Sequence, residues 1–308
     1  MKSIKWNGEP IKKPGMYEGI DLDLYHAPRI TDGWSISSSG LRTISNESPA
    51  HFFAQWRGNP KAKPRKEGRH FVMGRAAHHL HLGQGNFSDH FAIEPVEYEA
   101  KDGKMKPWHN GADACKIWND ARKEEGKGII TEAEAEAVIG MAEVLGMHPI
   151  VQAGALNGLV ERSLFWKDAK TGIWLKSRPD AIPGDGGDFV DYKTTESVQW
   201  VDLMRSIYDY GYHQQGALIL EAARTVLKIA NPSFTLVFQE KKEPYCVRVV
   251  VLKEDDLKRG AALNRKALDT FAKCLKEDHW PGPGGDREDA EYIEMPEWAQ
   301  KSIDSQLT

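Results

Sequence analysis

The sequence predicts a mixed α/β domain: a central sheet flanked by helices, with helical elaboration toward the N-terminus. Three observations carry that expectation. Strand character dominates residues 159–193, further β runs lie at 234–238 and 247–252, and segments of helical spacing separate and follow them. With 308 residues, 40% of them apolar and 28% charged, the chain can bury one large core and is ordinary for a globular protein.

The elements follow in order. Residues 1–14 are polar with two prolines and are expected as a flexible arm; residues 15–280 form the domain. Ser48 before Pro49 reads as an N-capped helix with proline at its first position. A helix over 74–82 is ended by Gly83 and Gly85. Thr131 with Glu134 forms a capping box, opening a helix that Gly146 closes. Helical spacing returns at 200–208, 214–229 and 254–276, and the Gly-, Pro- and acid-rich residues 281–308 read as a tail.

No apolar run approaches a membrane span, and the N-terminus has no signal-peptide stretch. Cys115, Cys246 and Cys274 are odd in number and widely spaced, which suits reduced thiols in the cytoplasm and cannot supply four thiolates to an iron–sulfur cluster. The net charge of −4 gives no bulk attraction to nucleic acid. Two basic stretches read either as local phosphate-binding surface or as solubilising loops. They are Lys61, Lys63, Arg65, Lys66 and Arg69, and then Lys101, Lys104 and Lys106.

The chemistry concentrates in Arg178-Pro179-Asp180, ten intervening residues, and Asp191-Tyr192-Lys193. The turn formers at 183–188 make this a β-hairpin, and residues two apart in a strand share a face, so Asp191 and Lys193 point together. The hairpin can bring Asp180 beside them. Two hard carboxylates suit Mg²⁺ or Mn²⁺, and a nearby ammonium suits a water nucleophile or a phosphate. A bare Asp-x-Lys is otherwise a solvated salt bridge; the preceding Pro-Asp, the turn and the apolar flanks favour an arrangement that cuts phosphodiesters.

Other residues are candidates to complete it. His78, His79 and His81 crowd one helix; His78 could finish a metal shell or be a core histidine, and the tight spacing fits zinc poorly. Glu161 sits in an alternating strand, facing solvent or the site. Gln215, in Tyr212-His213-Gln214-Gln215, could hold a phosphate, orient a ligand, or be a polar residue of an amphipathic helix.

These pieces together resemble the RecE type of PD-(D/E)xK nuclease, the C-terminal domain of exodeoxyribonuclease VIII, and more widely RecB-like and phage recombination exonucleases. The resemblance runs from about Gly15 to Pro281. Its landmarks are Pro14-Gly15-Met16-Tyr17, Tyr25-His26, Ser37-Ser38-Ser39-Gly40-Leu41, Gly74-Arg75-Ala76-Ala77-His78 and Glu161-Arg162-Ser163-Leu164-Phe165-Trp166. Then come the Asp180 and Asp191–Lys193 motifs, Tyr212-His213-Gln214-Gln215 and His279-Trp280-Pro281, in the same order.

The resemblance implies a restriction-endonuclease-like core in which His78, Asp180 and Asp191 hold Mg²⁺ (with Mn²⁺ able to substitute). Lys193 would be the catalytic lysine and Glu161 an indirect support. Ile219 stands where a Q-x-x-x-Y motif would have its tyrosine. The implied reaction is 5′→3′ digestion of duplex DNA ends to 5′-phosphorylated nucleotides, by a ring-like homo-oligomer (such as a tetramer) feeding a single-strand annealing protein. End recognition adds an expectation that Arg29, Ser37 and Ser39 form a 5′-phosphate pocket at a serine-rich helix start, with a plain N-cap as the alternative. Competing readings are a single-strand or structure-specific nuclease of the same fold, and an inactive DNA-binding subunit.

Overall fold

The structure is a computed structural model that describes residues 1–63, 68–83, 85–184, 186–286 and 289–307. Arg65 and Lys66 of the first basic stretch, the Arg69 side chain, and Asp185 of the turn lie outside the described residues.

In chain order the strands begin with β1 (Ile4–Lys5), β2 (Gly15–Glu18), β3 (Ser35–Ser37), β4 (Phe91–Ile93), β5 (Glu97–Glu99), β6 (Met105–Pro107) and β7 (Gly128–Ile130). They continue as β8 (Leu159–Val160), β9 (Ser163–Lys167), β10 (Trp174–Ser177), β11 (Ala181–Ile182), β12 (Asp188–Thr195), β13 (Ser233–Glu240) and β14 (Val247–Val251). The helices of the first half are α1 (Leu22–Tyr25), α2 (Ser38–Asn46), α3 (Pro49–Gln55), α4 (Arg69–His81), α5 (Phe87–His90) and α6 (Asp113–Glu124). Those of the second half are α7 (Glu132–Met147), α8 (Pro149–Gln152), α9 (Trp200–Asp209), α10 (Tyr212–Val226), α11 (Glu254–Glu277) and α12 (Glu297–Leu307).

Two mixed five-stranded sheets result, ordered β1-β2-β9-β10-β3 and β14-β13-β12-β11-β8, flanked by helices. A single hairpin passes through both. β9 pairs with β10, Leu164 opposite Ser177, and β8 pairs with β11, Val160 opposite Ala181. Between the two ladders the hairpin breaks at residues 161–162 on one arm and 178–180 on the other. Glu161 N–H donates to the Asp180 carbonyl across the break at 3.0 Å. The strand expected to run on through Glu161 therefore stops there. Glu161 takes φ of 49°, left-handed backbone that a residue with a Cβ enters at a cost.

β12 and β13 are the parallel centre of the second sheet, in register from Asp188 opposite Ser233 to Thr195 opposite Glu240. Parallel strands need a crossover, and α9 with α10 supply it. Alternation along β12 sends Phe189 into a core with Leu218, Phe234 and Phe271, while Val190 and Tyr192 enter another with Ala77, Val138 and Met141. Helices thus cover both faces of β12, and its polar residues reach solvent only toward the strand's two ends.

The capping signals act as the sequence indicates. Ser48 Oγ accepts the His51 N–H at 3.2 Å, and Thr131 and Glu134 bond reciprocally. Gly146, however, lies inside α7, which runs to Met147 and stops before Pro149. Residues 1–14 are not a free arm: β1 pairs parallel with β2, and Ile11 is buried with Tyr17, Tyr25 and Trp174. The N-terminal elaboration is consequently not purely helical, since β1–β3 build one sheet edge to edge with the hairpin. The small ladders β4–β7 and β5–β6 also escape the sequence reading; their strands are only three residues long. Lys101 and Lys106 of the second basic stretch pair with Asp113 and Asp102 at 3.2 and 3.3 Å, which neutralises them locally. All three cysteines are free, and no described helix is long and apolar enough to cross a membrane.

Candidate metal-dependent active site

The hairpin break is where charged side chains from four parts of the chain meet. Asp180 sits immediately before β11. Its Oδ2 accepts the Tyr192 backbone N–H at 2.6 Å, so the neighbouring strand β12 fixes the carboxylate. Its Oδ1 faces His78 Nε2 at 2.9 Å, and His78 Nδ1 lies 3.6 Å from Glu161 Oε1. His78 reaches the break because α4 packs close to β12: a Cβ on Gly74 would lie 3.3 Å from Thr194 Oγ1. One turn on from that glycine, the imidazole projects onto the carboxylates.

Asp191 and Lys193 share a face of β12 as the two-residue spacing requires, and they form an ion pair. Gln215 Nε2, from α10, donates to Asp191 Oδ2 at 3.0 Å. Gln215 thus orients a carboxylate. Ile219, one turn later on α10, is buried in the core, so no side chain there substitutes for a tyrosine hydroxyl. Tyr212 opens α10 with its ring centroid 5.5 Å from Lys193 Nζ.

The electrostatics follow from crowding. Burial drives the Asp191 carboxyl up to about 6, and Asp180 adds to the effect against the opposing pull of Lys193. Burial works the same way on Asp180, but His78, Lys193 and the Tyr192 N–H outweigh it and hold that carboxyl below its ordinary range. Burial disfavours the Lys193 ammonium; Asp191 and Asp180 reverse this and raise its proton affinity. Asp180 and Glu161 likewise outweigh burial at His78 and raise it. One buried carboxylate therefore remains difficult to ionise beside a single lysine.

That donor set fits a hard divalent cation. Ligand atoms of His78, Glu161 and Asp180 all lie within 4.8 Å of one another. Asp191 Oδ1 is buried without a hydrogen-bond partner among the described residues. Carboxylate oxygens with one imidazole suit Mg²⁺ or Mn²⁺. The sequence reading put Asp191 third in the metal set and Glu161 in support. The structure instead gathers Glu161 with His78 and Asp180, because the strand break turns Glu161 toward them, and engages Asp191 with Lys193 and Gln215.

Two supporting groups have no signal in the spacing. Arg178 donates to Ser163 Oγ and the Ile20 carbonyl at 2.9 Å each, stacks 4.3 Å from the Tyr25 ring centroid, and faces Glu161 Oε2 at 3.6 Å. Tyr192 points away from the acids, and its hydroxyl donates to buried Gln239 Oε1 at 2.7 Å. Gln239 in turn donates to the Met141 carbonyl at 2.8 Å. The strand segment that orients Asp180 is thereby tied to α7.

The expected end pocket is only partly assembled from the expected residues. Ser37 and Ser39 line a cavity of about 240 Å³, and their hydroxyls bond each other at 3.0 Å, so Ser37 does not cap α2 through its side chain. Arg29 is not among the lining residues; its guanidinium stacks 3.8 Å from the Trp34 ring centroid. The cations on the wall are Arg57 and Lys176. Lys176 is 3% exposed and donates to the Ala27 carbonyl at 2.8 Å, and burial pushes its ammonium down to about 7.

Comparison with known proteins places the chain in a family and relates its fold to solved structures. The family described as "PDDEXK-like domain of unknown function (DUF3799)" matches residues 37–295. The crystal structure of a putative exonuclease from Eubacterium rectale superposes with a TM-score of 0.56 at 13% identity, covering 84% of this chain and 91% of that one. At that identity the likeness concerns the fold. The crystal structure of SSO0001 is more distant, with a TM-score of 0.28 at 11% identity over 72% of this chain and 86% of the other. No curated protein sequence matches.

Proposed function

Because the chain belongs to the PDDEXK-like DUF3799 family, we propose that it is a divalent-metal-dependent DNA exonuclease that digests duplex DNA from its 5′ ends and leaves 3′ single-stranded overhangs. The observation that carries the reading is the meeting of His78, Asp180 and the Asp191–Lys193 pair at one hairpin break. The likeness of fold to a chain described as an exonuclease supports it.

His78, Glu161 and Asp180, with Asp191 beside them, are the residues that would hold Mg²⁺, which Mn²⁺ could replace. Such an ion, when bound, polarises a scissile phosphate and makes a bound water more acidic. The chain's own groups do the rest. Lys193, kept protonated by the two aspartates, meets the phosphate as a cation and offsets its developing negative charge. Gln215 and the Tyr192 N–H hold the two aspartates in fixed orientation before substrate arrives. Ser37, Ser39, Lys176 and Arg57 would receive the 5′-terminal phosphate; Arg29 drops out of that role. A closed homo-oligomer around DNA would let a chain of net charge −4 stay on its substrate, and an annealing protein would take up the exposed strand.

The test is a time course on linear duplex labelled at one end or the other. Prompt release of a 5′ label as mononucleotide, blocked by EDTA and absent on nicked circles, is expected. Prior release of the 3′ label contradicts the polarity. Equal cutting of circles contradicts an exonuclease, and no cutting of any DNA contradicts the nuclease reading itself.

A further inference from the structure

Arg42 is a cation placed beside the active site without a carboxylate of its own. It projects from α2 against the junction of α9 and α10, where its Nη1 donates to the carbonyl of Tyr210, the residue that ends α9. Among the described residues no acid lies within ion-pair distance of it, so one of five N–H donors has a protein partner. Its stem is closely confined. Gly211 has φ of 62°, and a Cβ there would meet Arg42 Cδ at 2.7 Å. The guanidinium is therefore held in one direction by packing as well as by its hydrogen bond.

The reacting groups lie beside the same junction. Tyr210 and Tyr212 pack with rings tilted at 36° and centroids 5.7 Å apart, and Tyr212 in turn carries Lys193 Nζ over its ring. The charges of Tyr212 and Asp191 both act on Arg42, while burial opposes its ionisation. On the neighbouring face of α2, Ser39 and Thr43 line the cavity assigned to the strand end. Arg42 thus lies on the element that joins that cavity to the metal-binding acids. A neutral amide would satisfy the Tyr210 carbonyl equally well. The planar fork with unused donors is what a phosphate requires.

We propose that Arg42 binds a backbone phosphate of the nucleic-acid strand, next to the one facing Lys193; this rests on the nuclease reading. Arg42 is then a substrate-positioning cation that fixes the register of the strand and carries no base preference.

The experiment measures binding of a fluorescent hairpin duplex with one free end, in EDTA, by the Asp191→Asn protein and by that protein with Arg42→Gln or Arg42→Lys. Arg42→Gln should weaken binding roughly tenfold at 0.1 M salt. It should also reduce the steepness of log Kd against log salt by about 1, whereas Arg42→Lys keeps the steepness. A role confined to capping the Tyr210 carbonyl would leave the salt dependence unchanged, and that result overturns the proposal. A substrate-side measurement needs no Arg42 variant: methylphosphonates placed singly along the strand should reveal, in the Asp191→Asn protein, a second sensitive position beside the scissile one. Its absence also overturns the proposal. If the Asp191→Asn protein binds no DNA at all, the nuclease reading fails first and this inference with it.

Discussion

His78 Nε2 and Asp180 Oδ1 lie 2.9 Å apart although 101 residues separate them along the chain. The imidazole comes from a helix, the carboxylate from a break between two strands, and Glu161 completes the corner. Removing the imidazole should leave the fold and weaken the metal site. His78→Ala is expected to lose about 100-fold in DNA cleavage at low Mn²⁺ and to recover part of it at high Mn²⁺. A cleavage-against-Mn²⁺ titration checks this, and a midpoint identical to the parent's contradicts the ligand role.

Asp191 should make metal binding steeply pH-dependent. Its carboxyl is raised to about 6 by burial and by Asp180, so below that pH it carries a proton that a cation must displace. Mn²⁺ affinity is therefore expected to fall as pH drops from 7 to 5, more steeply than for a carboxylate of ordinary acidity. Calorimetric titrations across that range read the effect; Asp191→Asn should flatten it.

The buried link from Tyr192 to Gln239 should be worth stability. Gln239→Leu leaves the Tyr192 hydroxyl and the Met141 carbonyl without their bonds in a closed core. The expected cost is about 1–3 kcal/mol per orphaned group, read by urea denaturation at unchanged m-value. Cleavage should fall as well, because the Tyr192 N–H orients Asp180.

Lys176 gives a second pH signature, in stability rather than in metal binding. Burial lowers its ammonium from 10.5 to about 7 in the folded protein. Between those values the unfolded chain binds more protons, so this residue makes stability rise with pH from about 7 to about 10.5. Lys176→Met should remove that rise, on the order of a few kcal/mol, in denaturation curves taken at pH 7 and pH 9.5.

Legibility in the sequence followed the range of the interaction. Asp180, Asp191 and Lys193 could be placed together because one turn and one strand alternation connect them. The helices Trp200–Asp209, Tyr212–Val226 and Glu254–Glu277 were legible from periodicity. Spacing left His78 open between a metal ligand and a core histidine, since its partners lie far along the chain; the resemblance favoured the ligand. Glu161 looked like one more residue in an alternating strand, and nothing local announces its left-handed backbone. Lys176 alternates in the same way between Leu175 and Ser177, which hid a buried ammonium. Arg29 was joined to the serines by the anion-binding character of a serine-rich helix start, which does not disclose that its guanidinium lies over Trp34. The pairing of β1 with β2 and the burial of Ile11 depend on partners that a polar, proline-marked segment does not disclose.

The most direct measurement is Mn²⁺ binding itself, separated from catalysis: calorimetry at pH 7.5 on the parent protein, Asp180→Asn and a remote control, Lys273→Ala. The expected result is saturable binding in the parent and the control, and its loss in Asp180→Asn with the fold intact by circular dichroism. Unchanged binding in Asp180→Asn would contradict the assignment of the hairpin break as the metal site.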